Sequence, residues 1–594
     1  MSGDDQRIVS VITEVGALGR PLDYAVPDAF RGPLEPGSRV RIPLHGRSVE
    51  GWVVGPGTGE AAPSTLRMVS KSMGFGPPAD VVDLCHWAAW RWAGTDARFL
   101  SSASPGINVT ALPRCGSITP ILVPDSALGL LGSTLATTPH PVVERVGPVT
   151  DPLDLVLGFI AGARAAHEGS VVVLVPGLGY AGRLTRRLAQ RGVPAVALAD
   201  AWDAARAGWP VVVGTRTAAL APVPDLAGML VLDAEDDRFR SESAPTWSAI
   251  DLAIERCGRS GRPVAMVTGC PTASLAVLDD QRFVDRSLEQ DGWPRVIIAD
   301  RTNADPRTGW FSEEMARLGA AALEEQVDGV AVACILNRTG RAKLLACRRC
   351  SELARCGACS AAVALGDEEL VCPRCAVTRP IICSGCGATA MKRLRPGTAQ
   401  LAEELAGLLG VPTAEVTAAT TPAALGGARA VVGTEAILHR IRRARLVAFL
   451  DLDSQLLSAR PGAELSTLAL IGRAGRLTRG RGDDDSGTVV LQTRLVDHPV
   501  VTAAVQGDPS SVVAADLDLR RVLGLPPVRS AAVLKGPGAA ALSAAAMELG
   551  IEQRPLGDGR IALLADTATL LADALQAAGR PKDRVIVAVD AEIA

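Results

Sequence analysis

The chain has 594 residues, of which 48% are hydrophobic and 21% charged, and its net charge is -3. This length exceeds what one hydrophobic core can serve and predicts several domains, and the balanced charge argues against a protein that coats nucleic acid non-specifically. No apolar run is long enough to span a bilayer and the start MSGDDQRIVS lacks the features of a signal peptide, so a cytoplasmic location without membrane contact is expected.

The first hundred residues contain short apolar runs broken by Gly and Pro, such as SRVRIPL and EGWVVG. Runs of this kind predict a small β-rich unit. A helical segment with Trp87, Trp90 and Trp92 follows, and on an amphipathic helix these side chains are expected to be core residues more often than platforms for stacked bases.

Two sets of short, nearly continuous apolar runs follow from about residue 140 onward. The first set is SVVVLVP, VVVGT, GMLVLD and PVAMVTG; the second is VAVACILN, ARAVVGT, RLVAFLDLD and TVVLQT. Strands buried on both faces and separated by helices indicate parallel sheets, so the sequence predicts two α/β lobes.

Eight of the 13 cysteines form four C-x-x-C pairs after the first strand of the second set. Two such turns can surround one zinc ion with four thiolates, so four turns predict two structural zinc sites. Disulfides and an iron–sulfur cluster are the rival interpretations, and spacing alone does not choose among the three ways of pairing the turns. The pairs are Cys347/Cys350, Cys356/Cys359, Cys372/Cys375 and Cys383/Cys386.

Arginine-rich segments are spread along the chain, including HRIRRAR at 439–445 and LIGRAGRLTRG at 470–480. Each basic segment is interpreted either as a phosphate contact or as a solvated face. In LIGRAGRLTRG, Arg473 and Arg476 are three residues apart among glycines, as expected of guanidinium groups that approach a nucleotide's phosphates across a cleft.

These features together resemble the PriA family of primosomal replication-restart helicases over nearly the whole chain. The resemblance is carried by VVGTRTA, NRTGR and GRAGR in the two lobes, by the inserted cysteines, and by PLDYAVP and PGSRVRIPLHGR near the start. It implies two helicase-like lobes with an inserted two-zinc module, an N-terminal domain that holds a 3′ DNA end, and a small α+β C-terminal domain.

The resemblance also implies functional residues. The outer turns share one zinc, held by Cys347, Cys350, Cys383 and Cys386, and the inner turns share the other, held by Cys356, Cys359, Cys372 and Cys375. The implied DNA-binding residues are Asp23, Tyr24, Arg39, Arg41, Arg216 and Arg338.

The expected division of the chain follows the same resemblance. It is 1–112 for the N-terminal domain, 113–139 for a linker in which the winged helix is missing or eroded, 140–300 for lobe 1, 301–346 and 389–500 for lobe 2, 347–388 for the zinc module and 501–594 for the C-terminal domain.

The ATP-binding elements depart from the family pattern. The family's VTGSGKT corresponds to VTDPLDL here, with Asp154 in place of the lysine, and no lysine occurs between Lys71 and Lys343. The family's Asp-Glu-Glu-His corresponds to Asp233, Ala234, Glu235 and Asp236, so the water-positioning carboxylate is lost. Binding of ATP and Mg²⁺ is therefore expected to be weakened, and the degenerate site is assigned to Asp154, Asp233, Glu235, Arg473 and Arg476.

The favoured function is recognition of stalled forks and D-loops, with promotion of primosome assembly and helicase reloading but no unwinding by the protein itself. The expected partners are branched and single-stranded DNA, primosome components, the replicative helicase and single-strand-binding protein. The alternatives are an active ATP-dependent 3′-to-5′ helicase and a zinc-dependent protein-interaction scaffold.

Overall fold

A computed structural model shows how these segments are arranged. It describes residues 7–591 except 16–19, 59–65, 116–120, 139, 279–284, 305–308, 326–328, 337–344, 351, 367–368, 394–397, 418, 422–424 and 459. Within these residues no helix combines the length and the apolar character that a membrane crossing requires.

The N-terminal unit is an antiparallel sheet followed by two helices. Its strand order is β2-β1-β4-β3-β5, and alternate side chains form a small core that includes Val11, Val40 and Ile42. The elements are β1 (Ile8–Thr13), β2 (Leu22–Ala25), β3 (Arg39–Leu44), β4 (Arg47–Pro56), β5 (Lys71–Gly74), α1 (Ala79–Arg91) and α2 (Asp96–Ala103). The predicted core role of the tryptophan helix holds best for Trp92, which is fully buried.

The first lobe is a six-stranded parallel sheet in the order β6-β11-β10-β7-β9-β8. Its strands are β6 (Val142–Arg145), β7 (Ser170–Leu174), β8 (Ala195–Ala197), β9 (Val211–Gly214), β10 (Leu226–Leu232) and β11 (Val264–Thr268). Its helices are α3 (Ala127–Thr137), α4 (Leu153–Ala166), α5 (Leu178–Gln190), α6 (Trp202–Arg206), α7 (Ala249–Ser260), α8 (Ala273–Ala276) and α9 (Arg286–Asp291). Helix α3, inside the segment predicted as a linker, packs closely on α4, where Gly132 lies against the Leu155 carbonyl.

The cysteine module interrupts the second lobe, as predicted. It follows β12 (Arg295–Asp300), α10 (Glu313–Glu324) and β13 (Val330–Ile335). The module contains β14 (Leu345–Cys347), β15 (Ala364–Leu365), β16 (Glu369–Val371), β17 (Thr378–Pro380) and β18 (Met391–Arg393). Strand β14 pairs with β18, which closes the insertion at its base.

The second lobe is also a six-stranded parallel sheet, in the order β12-β22-β21-β13-β20-β19. Its remaining elements are α11 (Thr398–Leu409), β19 (Thr413–Val416), β20 (Ala430–Gly433), α12 (Ile437–Arg440), β21 (Ala444–Phe449), α13 (Asp453–Leu456), α14 (Ala463–Thr478), β22 (Thr488–Thr493), α15 (Pro499–Gln506) and α16 (Ser510–Leu523). Because β12 pairs with β22, this sheet begins at Arg295 and not after residue 300, where the sequence placed the boundary.

The C-terminal unit is a four-stranded antiparallel sheet in the order β24-β25-β23-β26 with two helices. Its elements are β23 (Ser530–Lys535), α17 (Ala539–Glu548), β24 (Glu552–Leu556), β25 (Arg560–Ala565), α18 (Ala568–Ala578) and β26 (Ile586–Val589). One continuous core joins this unit, α1 and one face of the first sheet, and the Arg91–Asp590 ion pair of 2.7 Å reinforces the junction. The predicted α/β fold class is confirmed.

Candidate functional site

The eight cysteines of the module form two compact groups of four. One group is Cys347, Cys350, Cys383 and Cys386, and the other is Cys356, Cys359, Cys372 and Cys375; within each group all sulfur atoms lie within 4.8 Å of one another. These are the two sets that the family resemblance implied.

The sulfur geometry fits a tetrahedral metal and not disulfides. The Cys347–Cys386 and Cys356–Cys375 sulfur atoms are 3.5 Å apart, whereas a disulfide bond is about 2 Å long. Four thiolates about 2.3 Å from a central zinc ion lie about 3.8 Å from one another. The backbone N–H groups of the first turn point at sulfur, and the amide of Cys350 helps to lower the pKa of the Cys347 thiol to about 6. Each group can therefore hold one metal ion.

The inner cysteine group is fastened to the second lobe. The amide of Ala362 donates to the Leu457 carbonyl at 3.0 Å, and Arg374 donates to the Ser458 carbonyl at 2.8 Å. Leu457 and Ser458 follow α13, just before α14 begins. The module is thus anchored to the part of lobe 2 that presents the GRAGR helix to lobe 1.

The loop between β6 and α4 occupies the position of a phosphate-binding loop but has a different backbone. The amide of Val149 donates to the Gly292 carbonyl at 3.1 Å, and that of Thr150 to the Gly147 carbonyl at 2.9 Å. Pro148 and Pro152 have no N–H to offer. A phosphate-binding loop depends on free backbone N–H groups, and these four positions present none.

Two carboxylates lie where this loop enters α4. Asp151 accepts a hydrogen bond from the Leu153 amide at 3.1 Å, and its ion pair with Arg187 joins the loop to α5. Partial burial alone would raise the pKa of Asp151, but Arg187 and the Leu153 amide lower it below its usual value. Asp154, which replaces the lysine, accepts a hydrogen bond from the Ser126 hydroxyl at 3.0 Å. Both side chains thus place a carboxylate at the end of this loop, each with a partner inside lobe 1.

The arginines of α14 reach across to the carboxylates that follow β10. Arg476 forms a bidentate ion pair with Asp233, in which Nη1 is 2.7 Å from Oδ2, and its Nε donates to the Pro148 carbonyl at 2.8 Å. Arg473 lies 3.2 Å from Asp236. Burial by itself lowers the pKa of Arg476, but Asp233 more than offsets this and the pKa is raised. Asp233, the remaining candidate ligand for magnesium, is therefore engaged by a cation of the chain itself.

Glu235 is turned into the first lobe. Its carboxylate accepts a hydrogen bond from the Thr268 hydroxyl at 2.8 Å, and the residue is 8% exposed. Burial, with the Asp233 charge in addition, raises the pKa of Glu235. This carboxyl group therefore bonds within the lobe and is nearly closed to solvent.

A small polar cluster, formed by Asp23, Ser10 and Thr58, lies at the edge of the N-terminal sheet. Asp23 on β2 accepts hydrogen bonds from the Ser10 hydroxyl at 2.5 Å and from both the amide and the hydroxyl of Thr58 at 2.8 Å. Asp23 is half-buried. A carboxylate held in this way is a fixed hydrogen-bond acceptor for a ligand hydroxyl group.

Comparisons with known proteins agree with this arrangement. A family model described as the PriA 3′ DNA-binding domain (3′BD) matches residues 10–105. The probable replication restart protein PriA of Mycobacterium tuberculosis H37Rv is 27% identical over 610 residues, which cover 88% of this chain and 85% of that protein. The corresponding protein of Mycobacterium leprae is 27% identical over 87% of this chain and 86% of its own length. The replication restart protein PriA of Haemophilus influenzae is 27% identical over 56% of this chain and 48% of its own length.

The chain is a relative of the replication restart protein PriA.

The predicted DNA contacts of this PriA relative differ in accessibility. Tyr24 is 4% exposed and donates to the Pro43 carbonyl, so it is part of the sheet core. Arg39 and Arg41 both pair with Glu50 at 2.9 Å, but only Arg41 is well exposed, at 42%. Asp23 and Arg41 are therefore the members of this domain's set that a nucleic acid can reach.

The two remaining predicted DNA contacts lie in the lobes. Arg216 donates to the Arg240 carbonyl at 2.8 Å and stacks over the Trp247 ring at 5.2 Å, which directs it into the loop that follows Asp233. Arg338 lies outside the described residues.

The basic segment at 439–445 is largely neutralised within lobe 2. Arg443 and Arg445 both pair with Asp485, and Arg445 also pairs with Glu325 at 2.5 Å. Arg442, which precedes Arg443, is exposed. Sequence proximity made these arginines look like one patch, whereas successive side chains at the start of a strand point in opposite directions.

Sequence reasoning missed Asp151 and Trp293. Asp-Pro immediately before an apolar helical run is a helix-start signal, and it would have placed Asp151 at the entrance to α4. Trp293 is fully buried beneath α14 and had no local signal, because its neighbours Gly472 and Gly507 are distant in sequence.

Proposed function

We propose that this PriA relative recognises stalled forks and D-loops through its 3′ DNA-binding domain and promotes reassembly of the replication machinery without hydrolysing ATP. Primosome components, the replicative helicase and single-strand-binding protein are its proposed protein partners, and the cytoplasm, at the nucleoid, its proposed location. Apart from the start of lobe 2, the division into seven segments stays a prediction that limited proteolysis can test.

One observation supports the loss of ATP hydrolysis above all others: the phosphate-binding position is filled by the protein's own groups. Hydrolysis needs free loop amides, a lysine, a magnesium ligand and a water-positioning group. Here the amides of Val149 and Thr150 donate to carbonyls, and Asp233 is paired with Arg476. Ala234 replaces the water-positioning carboxylate. All four requirements are affected, so one compensating substitution would not restore the reaction.

DNA-end binding is supported by the match of residues 10–105 to a 3′ DNA-binding domain and by the polar cluster around Asp23. A carboxylate that already accepts hydrogen bonds from Ser10 and Thr58 is held in one orientation and can accept another from the terminal 3′ hydroxyl. A 3′ phosphate would bring negative charge against the same carboxylate. This chemistry favours free 3′ ends over phosphorylated ones.

The first test is ATP hydrolysis by the metal-replete protein in the presence of fork DNA. We expect no hydrolysis above the rate of a protein-free blank. DNA-stimulated hydrolysis that disappears in Asp233→Asn would establish an active helicase engine and overturn the proposal. The comparison with Asp233→Asn excludes a contaminating ATPase, since a contaminant would survive the substitution.

The second test is fluorescence anisotropy with three ligands: a fork with a free 3′ hydroxyl, the same fork with a 3′ phosphate, and plain duplex. The fork with a 3′ phosphate cannot donate the hydrogen bond from its 3′ end to Asp23. The loss of this one charge-assisted hydrogen bond should weaken its binding by about tenfold. Equal affinity for all three ligands would contradict recognition of the DNA end. If none of them binds, the protein-interaction scaffold becomes the better description.

Zinc is the proposed metal of both cysteine groups, because four thiolates in a closed tetrahedral set suit zinc and leave no open position for catalysis. The metals are proposed to stabilise the module, whose β15–β17 sheet is small. Elemental analysis of protein purified without added metal tests this directly, with two zinc ions per chain expected.

A further inference from the structure

The most unusual feature of the two lobes is that lobe 2 enters the nucleotide cleft of lobe 1. We propose that helix α14 is a built-in substitute for the nucleotide and keeps the lobes in one closed arrangement whether or not ATP is present. This inference goes beyond the proposed function. It concerns the motion of the lobes and makes no claim about DNA.

Arg476 links three parts of the molecule with one guanidinium group. Its terminal nitrogens bind Asp233 after β10, its Nε binds the Pro148 carbonyl in the loop before α4, and its backbone belongs to α14. A planar guanidinium group offers donors in fixed directions, so this geometry holds all three parts in register. Asp233 has a φ of 56°, a left-handed conformation that turns the chain immediately after the strand.

A second ion pair reinforces the first. Asp236 is 6% exposed and is shared by Arg473 of α14 and Arg238 of its own loop. Burial alone raises the pKa of Asp236, but its hydrogen bonds from Arg238 and the charge of Arg473 lower it overall. This carboxylate thus stays ionised at neutral pH and retains both partners. Removing one partner from such a group leaves a charge poorly compensated.

Apolar packing extends the contact around the ion pairs. An added Cβ at Gly472 would lie 2.8 Å from Pro148 Cγ, and one at Gly475 would lie 2.8 Å from Val149 Cγ1. The glycines therefore let the helix approach the loop at backbone distance. One apolar core contains Cys270 and Trp293 together with Leu468 and Ile471 of α14. Opening the lobes would expose Cys270, a buried lobe 1 residue whose Sγ lies 3.8 Å from the Leu465 carbonyl oxygen of α14, to water.

A ligand can shift a conformational equilibrium only by its different affinity for the two states. In this chain the amides of Val149 and Thr150 already donate to backbone carbonyls, and Asp233 is already paired with Arg476. ATP would have to displace these contacts before it could bind. We therefore expect ATP to have no higher affinity for the closed arrangement of the lobes than for an open one. The two lobes therefore behave as one rigid body.

The test is hydrogen–deuterium exchange of the full-length, metal-replete protein with and without ATP and Mg²⁺. The informative peptides cover the loop at 146–152 and α14. In the wild-type protein we expect both to be protected and their exchange to change less than about twofold on addition of ATP and Mg²⁺. Nucleotide-dependent exchange, or fast exchange at both segments without nucleotide, would overturn the inference. Either result can occur in a protein without ATPase activity, so it is distinguishable from failure of the proposed function.

A double-mutant cycle identifies the ion pair as the cause. Asn in place of Asp233 tolerates the left-handed backbone conformation at this position, and Gln in place of Arg476 has a similar helix propensity. Because the Arg476 side chain is 37% exposed, each single variant should raise exchange of the loop by about tenfold, less than for a fully buried pair. The double variant should match Arg476→Gln, which also loses the bond to the Pro148 carbonyl, and should not multiply the two single effects.

Arg479→Gln and Asp483→Asn provide the matched control. This pair lies at the end of the same helix at 3.1 Å, with the two side chains 44% and 39% exposed. Its loss should change exchange of the loop at 146–152 by less than about threefold. Peptides of β7 and β22, buried in the two parallel sheets, report unfolding of either lobe and should be unaffected in all variants. Multiplicative effects of Asp233→Asn and Arg476→Gln, or equal effects of both pairs, would show that the Arg476–Asp233 contact does not hold the lobes together.

Discussion

Replacing Gly475 by alanine tests whether α14 lies against lobe 1 in solution. The new Cβ would be 2.8 Å from Val149 Cγ1 and 2.9 Å from Pro294 Cδ. The valine side chain can rotate away, but the ring of Pro294, which directly precedes β12, has no comparable freedom. The helix must therefore move away from Pro294, or the substituted residue must be accommodated with strain.

The expected magnitude follows from two opposing effects. Alanine in a helix interior is more favourable than glycine by about 1 kcal/mol. Forcing a methyl group into a packed contact costs about 1–3 kcal/mol. With a packing cost of about 2 kcal/mol, the middle of that range, and a gain in helix propensity of about 1 kcal/mol, Gly475→Ala should be destabilising by about 1 kcal/mol. Gly407 on α11 is the matched control because its added Cβ would have no heavy atom within 4 Å. Gly407→Ala should stabilise its helix by about 1 kcal/mol, so the two substitutions have opposite signs.

Local hydrogen exchange is the suitable assay, since a chain of several domains has no single two-state unfolding free energy. Exchange in α14 should accelerate several-fold in Gly475→Ala, and exchange in α11 should slow several-fold in Gly407→Ala. If Gly475→Ala slows exchange in α14 as much as Gly407→Ala does in α11, the alanine meets open space and α14 does not pack against Val149 and Pro294.

Three further predictions concern the metal sites, the cleft and the polar cluster around Asp23. Cys347→Ser and Cys372→Ser should each reduce bound zinc from two ions to one, because each empties a different group. Cys115→Ser, at an exposed cysteine outside both groups, should leave two zinc ions bound, and elemental analysis measures the zinc content of all three variants. Asp236 has a lowered pKa, so its stabilising effect is complete above its usual value of 3.8 and is lost as the pH falls through the lower folded value. The difference between wild type and Asp236→Asn in the free energy of local opening of α14, measured by hydrogen exchange, should thus be constant from about pH 8 to pH 5 and shrink below about pH 4. A difference that grows on acidification would show that the sign is wrong. Asp23→Asn should weaken binding of a 3′ hydroxyl end, measured by fluorescence anisotropy, by about tenfold. Asp28→Asn, at an exposed position of the same domain, should leave this binding unchanged. Equal losses in both variants would show that Asp23 does not recognise the DNA end.

The sequence predicted the larger architecture because its signals are local. Apolar runs such as SVVVLVP and TVVLQT became β7 and β22, inside their parallel sheets. Shorter or more polar strands were missed: β6 has four residues, and β12 is mostly half-exposed with charged ends. Such strands gain their stability from neighbours in the sheet, so their own residues carry a weak signal.

The metal and nucleotide sites were predictable to different extents. Four C-x-x-C turns and a first lobe without lysine are properties of the sequence alone, and they are enough to indicate two metals and a lost phosphate-binding loop. The grouping of outer with outer and inner with inner turns came from family resemblance, and the structure shows it as two sets of sulfur atoms. Spacing within a turn determines which two thiolates face one ion, but only the path of the chain brings the second turn to it.

What tertiary structure alone decided is the role of the arginines. The number of arginines and their positions in LIGRAGRLTRG and HRIRRAR can be read from the sequence. The carboxylate with which each arginine pairs cannot be read from it. Arg476 binds Asp233 on the other lobe, and Arg443 binds Asp485, 42 residues away. A long flexible cation pairs with whichever carboxylate the fold brings within about 3 Å. The sequence therefore predicted a loss of nucleotide chemistry, and the fold shows that arginines of lobe 2 pair with the carboxylates that follow β10.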